Sequence, residues 1–440
     1  MTSMSICHIQ RQLHGISDDS TLDYSGMMMI ATIKLTMFGF NVYDGRQFKL
    51  NGNKASNNNG QKQLTAYNHQ MKIDGSSYPT LLEFSGWMFF FGGYLVGPAC
   101  EYMDYYRFVH QSQDYTPLRR QQNNVPPSSV KPTLIILAKS VLFIVILLSC
   151  SSKYSFSLML KPEWQGLSFG RKLLFIQVVA FVARCKYYTA WLLSEGACVL
   201  CGIGFAGYDE KGNARWDRLT NINVVHCELP QSLKELSDYW NMGANRWLKH
   251  YIYLRVTPPD KKAGLTSTLI TYAVSAFWHG FYPGYYVMFF SAALFQNTGR
   301  IMRKTLRPFT FTVDMQGKSV PMGIYKSIYD FIGIIMTMFV INTTSIAFIG
   351  LYIHPIWSVW RQIYFIHYVF GILIWLLMKI SYKPLMIAQK KRAGRLGYVT
   401  SSTIINQQQE KAPKAKEMDV TDLGGVEPPL PDITIVKKVE

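Results

Sequence analysis

Long apolar stretches alternate with polar segments along most of the chain. Residues 84–100, 264–296 and 331–360 carry no formal charge. Residues 132–150 carry only Lys139. A helix needs about 20 mostly apolar residues to cross a bilayer. Lipid offers no partner to backbone polar groups, so such stretches are expected to be helices. The pattern predicts an all-α polytopic membrane protein.

Shorter or interrupted apolar stretches extend this set. Residues 173–183 and 187–207 are two of them, and Glu195 interrupts the second. Residues 362–378 form another, while residues 27–40 read either as a short span or as an interfacial helix. The long stretches 264–296 and 331–378 are each expected to hold two passes, with breaks at Pro283-Gly284 and at Pro355. The predicted total is about eight transmembrane helices.

Residues 231–256 show a helical pattern of a different kind. Apolar or small side chains recur at alternating steps of three and four residues, which is typical of one face of an amphipathic helix. That stripe comprises Leu233, Leu236, Trp240, Ala244, Trp247, Tyr251 and Leu254. Arg246 and Lys249 make the neighbouring face basic. They are expected either to lie on a solvated face or to bind the phosphates of a nucleotide-bearing acyl donor.

Composition and charge fit a membrane protein better than a nucleic-acid-binding one. Hydrophobic residues make up 49% of the chain and charged residues 16%. The net charge is +18, and residues 208–262, 299–323 and 379–440 are each rich in Lys and Arg. The positive-inside rule predicts that these segments are cytosolic. We therefore expect a polar N-terminal segment at 1–25, a transmembrane domain at 26–385, and a basic, disordered cytosolic tail at 386–440.

Polar residues within apolar helices are costly, so each is a functional candidate. His279 lies about 15 residues into the charge-free stretch 264–296. A neutral histidine can act as a general base, but a packing role is as compatible with this position. Glu195 is expected to line a cavity or to mark a helix end. Glu101 and Asp104 lie beside tyrosines and suggest an interfacial aromatic belt.

Three other histidines and the cysteines receive structural interpretations. His250 is expected at a basic surface, and His354 and His367 at an interface or between helices. Cys198 and Cys201 form a C-x-x-C without a second pair, which favours buried thiols over a metal site. We predict no metal. Asn342-Thr343-Thr344 matches a glycosylation pattern inside an apolar stretch, where chance is the better explanation.

A set of short motifs resembles the membrane-bound O-acyltransferase (MBOAT) family. Trp240-Asn241 is followed by Trp247-Leu248 and then by Ser275-Ala276-Phe277-Trp278-His279-Gly280. The interval from Asn241 to His279 is typical of the family. Further pieces resemble the branch of fungal lysophospholipid acyltransferases. These are Lys34-Leu35-Thr36, Asn41-Val42-Tyr43-Asp44-Gly45, Leu95-Val96-Gly97-Pro98, Glu101-Tyr102 and Trp216-Asp217.

The resemblance implies a helical bundle with an internal cavity that transfers an acyl chain from acyl-CoA to the free hydroxyl of a lysophospholipid. His279 is then the general base, and Asn241 orients the acceptor or stabilises developing charge. Trp240, Ser275, Trp278, Arg246 and Lys249 become candidate substrate-binding residues. Acyl-CoA is a co-substrate, and no bound cofactor is expected. Membrane lipids are expected partners; nucleic acid is not.

Some features depart from the family pattern or leave other functions open. Ala244 occupies a position where the family often has threonine. Further spans usually precede the segment at Lys34, so we expect the N-terminus to be truncated. Other acceptors (a sterol, diacylglycerol or a protein), a transporter with His279 as proton relay, and a non-catalytic chain remain alternatives. Lys437 and Lys438 resemble a di-lysine signal for the endoplasmic reticulum.

Overall fold

The computed structural model describes residues 2–14, 24–51, 65–75, 77–110, 127–258, 264–314 and 319–395. Within these ranges the chain is largely helical, which confirms the predicted class. The first helices are α1 (Thr2–His14), α2 (Ser25–Asn51), α3 (Ala66–Met71), α4 (Leu81–Met88), α5 (Tyr102–Val109), α6 (Val130–Cys150), α7 (Pro162–Gln165) and α8 (Phe169–Leu200).

The remaining helices include short ones around the Trp240-Asn241 motif and three long ones. They are α9 (Val224–Glu228), α10 (Leu233–Tyr239), α11 (Met242–Trp247), a π-helix (Leu248–Tyr253), α12 (Leu254–Val256), α13 (Leu265–His279), α14 (Pro283–Leu306), α15 (Gly323–Gly350), α16 (Ile353–Gln362) and α17 (Ile366–Arg395). Short 3₁₀ helices occupy Ser157–Leu160 and Arg307–Thr310. Two small antiparallel hairpins pair β1 (Gly207–Tyr208) with β2 (Ala214–Arg215) and β3 (Phe311–Val313) with β4 (Ser319–Pro321).

Five helices among the described residues are long and apolar enough to cross a membrane. They correspond to Ser25–Leu50 of α2 and to α6, α8, α15 and α17. The ambiguous stretch at 27–40 therefore belongs to a helix of spanning length. Five is fewer than the predicted eight. Part of the difference arises because one predicted span is a loop and two others form a single helix.

The charge-free stretch 84–100 is not a spanning helix, and that prediction is wrong. Helix α4 ends at Met88, and turns follow as far as Glu101. A Cβ at Gly93 would lie 2.4 Å from the Pro98 carbonyl oxygen, so the loop folds closely on itself. Gly97 has a φ of 90°, which glycine adopts without steric cost. Glycine and proline thus override the apolar composition.

The two predicted spans at 173–183 and 187–207 form the single helix α8. Glu195 lies inside this helix, is 7% exposed, and accepts a hydrogen bond from the Thr220 hydroxyl at 2.7 Å. A buried carboxylate that finds a partner can be tolerated within an apolar helix. The charge therefore marks neither a break nor an end of the helix.

The amphipathic stretch 231–256 is not one continuous helix. Helix α10 ends at Tyr239, α11 begins at Met242, and the π-helix follows at Leu248. The break separates the predicted stripe into two parts. Ala244, Trp247 and Tyr251 belong to one buried core, whereas Trp240 packs against another. The predicted stripe is therefore buried from Ala244 to Tyr251, but it does not continue across residue 241.

The chain divides into two compact units. The first comprises Met1–Glu228, Tyr239–Ala293 and Asn342–Tyr364, and includes both Asn241 and His279. One of its cores, which we call the Trp247 core, consists of Met4, Ile33, Met37, Ala99, Ala244, Trp247, Tyr251 and Trp278. Another, the Tyr188 core, consists of Phe143, Cys185, Tyr188, Trp191, Leu192, Ile222 and Cys227. Met4 shows that α1, within the predicted polar segment 1–25, packs into the first core.

The second unit comprises Leu229–Asp238, Leu294–Ile341 and Phe365–Glu440. Its β3–β4 hairpin is tied to α17, because Arg392 donates hydrogen bonds to the carbonyls of Phe309 and Phe311 at 2.5 and 2.7 Å. Helix α17 continues past the predicted domain boundary at 385 as far as Arg395. The rest of the predicted tail, with Lys437 and Lys438, lies outside the described residues.

Candidate active site

Asn241 lies in the break between α10 and α11 and has a left-handed backbone conformation, with φ 44° and ψ 59°. L-residues rarely adopt this conformation, and asparagine tolerates it better than most. Asn241 is also the N-cap of α11, since its Oδ1 accepts a hydrogen bond from the Ala244 N–H at 3.4 Å. Its backbone carbonyl accepts from the Asn245 N–H at 2.9 Å. The side chain is partly exposed.

The segment 221–223 runs beside this break and holds it on both sides. The Asn223 N–H donates to the Tyr239 carbonyl at 3.1 Å, and the Met242 N–H donates to the Asn221 carbonyl at 2.9 Å. Trp240 and Asn241 bulge out between these two bonds. The Asn221 side chain adds a third bond, because its Oδ1 accepts from the Gly243 N–H at 2.9 Å. Sequence reasoning missed Asn221, whose only local signal is its position shortly after Trp216-Asp217.

Trp240 packs on the face of α8 rather than on the neighbours of Asn241. Its ring centroid lies 5.0 Å from that of Trp191, 5.6 Å from Tyr187 and 5.9 Å from Tyr188. Trp191 in turn donates from Nε1 to the Val96 carbonyl at 3.1 Å. The two residues of the Trp240-Asn241 motif thus have different surroundings. The Trp240 ring packs against the Tyr188 core, and the Asn241 amide lies in the break.

Helices α11 and α13 meet in the Trp247 core. The rings of Trp247 and Trp278 have centroids 5.8 Å apart. Trp247 donates from Nε1 to the Thr36 hydroxyl at 2.9 Å, and Trp278 donates to the Met29 carbonyl at 3.0 Å. Both tryptophans are therefore fixed to α2. The element that begins at Asn241 and the element that ends at His279 are held in one core.

His279 is the last residue of α13 and lies in aromatic surroundings. Its ring stacks on Phe289 at a centroid distance of 5.1 Å and an interplanar angle of 25°. Tyr285 lies 5.7 Å away, and Phe348 meets the ring edge-on at 5.0 Å. Within the described residues the imidazole nitrogens make no hydrogen bond. The ring is partly buried, so a reactant that reaches it finds a nitrogen available.

Close packing of α14 against α15 brings Phe348 to this position. A Cβ at Gly284 would lie 2.1 Å from the Ala347 carbonyl oxygen, which only glycine avoids. The Gly284 N–H donates to the Leu351 carbonyl at 2.8 Å. The sequence predicts a break at Pro283 and Gly284. The break falls instead at Gly280, and the two residues begin α14.

The other predicted residues of α13 are buried on the side away from solvent. Ser275 is 5% exposed and lies one turn before His279, on the same face of the helix. Trp278 is 3% exposed, and its backbone carbonyl lies 3.1 Å from His8 Nε2. A Cβ at Gly280 would lie 3.2 Å from His8 Nδ1. Helix α1 therefore contacts the Trp278-His279-Gly280 turn, which the sequence did not predict.

Glu101 belongs to a buried hydrogen-bond network, and its assignment to an aromatic belt is wrong. It is 2% exposed and accepts from the Tyr67 hydroxyl at 2.7 Å, the Tyr251 hydroxyl at 2.8 Å and Asn41 Nδ2 at 2.9 Å. Burial raises the pKa of Glu101, although these hydrogen bonds oppose the shift. Asp104 is buried as well, at 7% exposure. The network joins α2, the loop before α5 and the π-helix.

The basic residues after Asn241 lie close to this network. Burial opposes the charge of Arg246, but the nearby Tyr67 and two carboxyl groups raise its pKa above the usual value. His250 stacks on Tyr67 at 4.1 Å, and burial together with adjacent cations lowers its pKa to about 3. The prediction of a surface position for His250 is therefore wrong. Lys249 lies beside it and is partly buried.

Several minor predictions are also resolved by the structure. His367 is fully buried, and its ring lies 6.5 Å from that of Phe295 on α14, as expected for a helix-packing residue. Cys198 is buried as expected, but Cys201 is exposed. Asn342 is 3% exposed and bonds to Gln177 at 2.9 Å, so the glycosylation pattern there is a chance match. In the described part of the chain, no cluster of three or more His, Cys, Asp or Glu residues could hold a metal ion.

Comparison with known proteins identifies the family. The family model for the membrane-bound O-acyltransferases matches residues 14–343, which include both the Asn241 break and the His279 turn. The chain belongs to the membrane-bound O-acyltransferase family. As in that family, it is a multi-pass membrane protein, and the resemblance inferred from the motifs is confirmed.

The curated relatives of this MBOAT chain act on phospholipids, as their names state. A lysophospholipid acyltransferase of Schizosaccharomyces pombe is 36% identical over 349 residues, which cover 79% of this chain and 65% of the relative. One of Saccharomyces cerevisiae is 33% identical over 378 residues, covering 83% and 58%. A human membrane-bound glycerophospholipid O-acyltransferase 2 is 28% identical over 436 residues, covering 93% and 78%. The chain thus spans less than two thirds of the length of the two fungal relatives.

Proposed function

We propose that this MBOAT chain transfers an acyl group from acyl-CoA to the free hydroxyl of a lysophospholipid at His279, with Asn241 as its partner. The observation that carries the proposal is the His279 ring. It lies at the end of a helix, has aromatic neighbours, and has nitrogens without hydrogen bonds within the described residues. The relatives named above supply the class of acceptor.

The chemistry requires one base and one group that stabilises charge. His279 accepts the hydroxyl proton as the acceptor oxygen attacks the thioester carbonyl. The Asn241 amide orients the acceptor or donates a hydrogen bond to the oxygen that gains charge. The carbon–sulfur bond then breaks, the ester forms, and the thiol of CoA leaves with the proton that His279 held. Aromatic residues around the imidazole limit access of water and hence hydrolysis of the thioester.

We assign Arg246, Lys249 and Ser275 to substrate binding, and Trp240 and Trp278 to the support of the site. Lys249 and Arg246 follow Asn241 and supply positive charge for the phosphates of acyl-CoA. Ser275 lies on the helix face that carries His279, and Trp240 and Trp278 fix the two motifs in their cores. We further propose that α13 and α14 also enter the membrane. We also propose residence in the endoplasmic reticulum membrane, with Lys437 and Lys438 as a cytosolic retrieval signal.

The proposal is tested with microsomes from cells that express the chain. We expect transfer of a labelled acyl chain from acyl-CoA to lysophosphatidylcholine or lysophosphatidate, and we expect His279→Ala to abolish it. His354→Ala is a matched control, because His354 is an exposed histidine on α16. Equal amounts of each variant in the membrane fraction are required. Full transfer by His279→Ala would refute the assignment of the base.

A further inference from the structure

We infer that Asn221 is the residue that positions Asn241, by holding the break between α10 and α11 in its left-handed form. The inference rests on the proposed role of Asn241. Asn221 is fully buried, with 0% exposure, in a segment that has no regular secondary structure. A buried asparagine outside helices and strands is costly unless its polar groups are used.

Asn221 supplies two acceptors to the two residues that follow Asn241. Its backbone carbonyl accepts from the Met242 N–H at 2.9 Å, and its side-chain Oδ1 accepts from the Gly243 N–H at 2.9 Å. The first N–H groups of a helix have no partner within the helix itself. Asn241 can satisfy only Ala244, at 3.4 Å. Asn221 therefore caps α11 from another part of the chain. It accepts from the Met242 and Gly243 N–H groups, which would bond to the preceding turn in a continuous helix.

The Asn221 side chain also lies close to two glycines. Gly243 faces it so closely that a Cβ there would lie 3.1 Å from Asn221 Oδ1 and 3.2 Å from the Ala99 N atom. On the other side, the Cβ position of Gly97 is 3.7 Å from Asn221 Nδ2. The preceding residue, Thr220, donates from its hydroxyl to Glu195 of α8 at 2.7 Å. The segment at Asn221 thus lies between the loop that contains Gly97 and Ala99, helix α8 and the Asn241 break.

This arrangement makes a specific demand on the side chain at position 221. Leucine has nearly the same volume but no acceptor, so Asn221→Leu would leave the Gly243 N–H buried and unpaired. The break could then relax toward a helical conformation, which would turn the Asn241 amide away from the reacting atoms. Aspartate keeps Oδ1 as an acceptor. Asn221→Asp is therefore expected to rescue most of what Asn221→Leu loses.

The test combines kinetics with amide hydrogen exchange on the full chain in detergent micelles. Misplacement by about 1 Å can cost on the order of 100-fold in rate, so we expect Asn221→Leu to lower kcat by about 10- to 100-fold. The KM for acyl-CoA should stay within about twofold, because Asn221 does not contact the substrate. Exchange at Met242 and Gly243 should accelerate. Asn223→Ala is the matched control. It removes only a long hydrogen bond from the His226 N–H to Asn223 Oδ1, at 3.4 Å, and it keeps the backbone bond to Tyr239.

A double variant separates positioning from general destabilisation. If Asn221 acts through Asn241, Asn221→Leu should cost nothing further once Asn241→Ala is present. Additive losses, or unchanged exchange at Met242 and Gly243, would overturn the inference. The exchange measurement does not depend on turnover. If the parent chain does not acylate lysophospholipids, the proposed function fails, while faster exchange in Asn221→Leu would still support the structural role of Asn221.

Discussion

Replacing Asn241 by glycine should separate the chemistry of its amide from the conformation of its backbone. The residue has φ 44° and ψ 59°. A side chain other than Asn or Asp in this region costs about 1–2 kcal/mol, whereas glycine enters it freely. The capping bond to the Ala244 N–H is long at 3.4 Å, and replacing a cap by glycine costs only a few tenths of a kcal/mol. We therefore expect Asn241→Gly to change the free energy of unfolding by less than about 1 kcal/mol.

Asn241→Ala should be less stable by about 1.5–4 kcal/mol, because it combines the strained conformation with the lost cap. Both variants lose the amide. If the amide stabilises developing charge, its removal should lower kcat by about 10²- to 10³-fold, or about 2.7–4 kcal/mol. The loss of activity in Asn241→Gly should thus greatly exceed its loss of stability.

The measurements are acyl transfer to lysophosphatidylcholine in microsomes and thermal unfolding in detergent micelles. Asn245→Ala is the control, because it removes a second amide one turn later while the backbone bond to Asn241 persists. It should retain activity within about threefold. The reasoning is refuted if Asn241→Gly keeps activity at the level of Asn245→Ala. It is also refuted if the glycine variant unfolds as readily as the alanine variant.

Two further predictions concern the packing that supports the site. Glu101→Ala should destabilise the chain by several kcal/mol, since it leaves the Tyr67 hydroxyl and Asn41 Nδ2 without an acceptor at about 1–3 kcal/mol each. The Tyr251 hydroxyl keeps Asn41 Oδ1 as its acceptor. A thermal shift no larger than that of the exposed control Glu163→Ala would contradict this prediction. Gly284→Ala should destabilise and lower activity, because its Cβ would lie 2.1 Å from the Ala347 carbonyl oxygen. Gly299→Ala in the same helix meets nothing within 4 Å, and equal melting temperatures for the two variants would exclude the steric explanation.

The polytopic fold and the elements that carry the two motifs were predictable from the sequence because apolar length and helical period are local properties. Helix α13 and the break after His279 follow from a charge-free stretch that contains glycine and proline. The sequence indicates that Trp247 and Trp278 each lie on an apolar helix, but not that the two rings contact each other. Residues 84–100 show the limit of composition. They are as apolar as a span, but Gly93 and Gly97 allow a compact loop that no hydropathy pattern distinguishes from a helix.

The break at Asn241 could not be predicted because its causes are not local. Steps of three and four residues continue across it, so the period alone indicates one helix. The hydrogen bonds that stabilise the break come from Asn221 and Asn223, about twenty residues earlier in the chain. Asn241 and Gly243 provide a weak local hint, since asparagine tolerates the left-handed region and glycine permits close approach.

The break also explains how adjacent motif residues reach different surroundings. In a continuous helix, Trp240 and Trp247 lie two turns apart on one face and would enter the same core. Here the left-handed residue between them sends Trp240 to the aromatic residues of α8 and Trp247 to Trp278. Each tryptophan is held in place by its own core. The backbone at Asn241 is consequently held from both sides, which would preorganise its amide for the role proposed above.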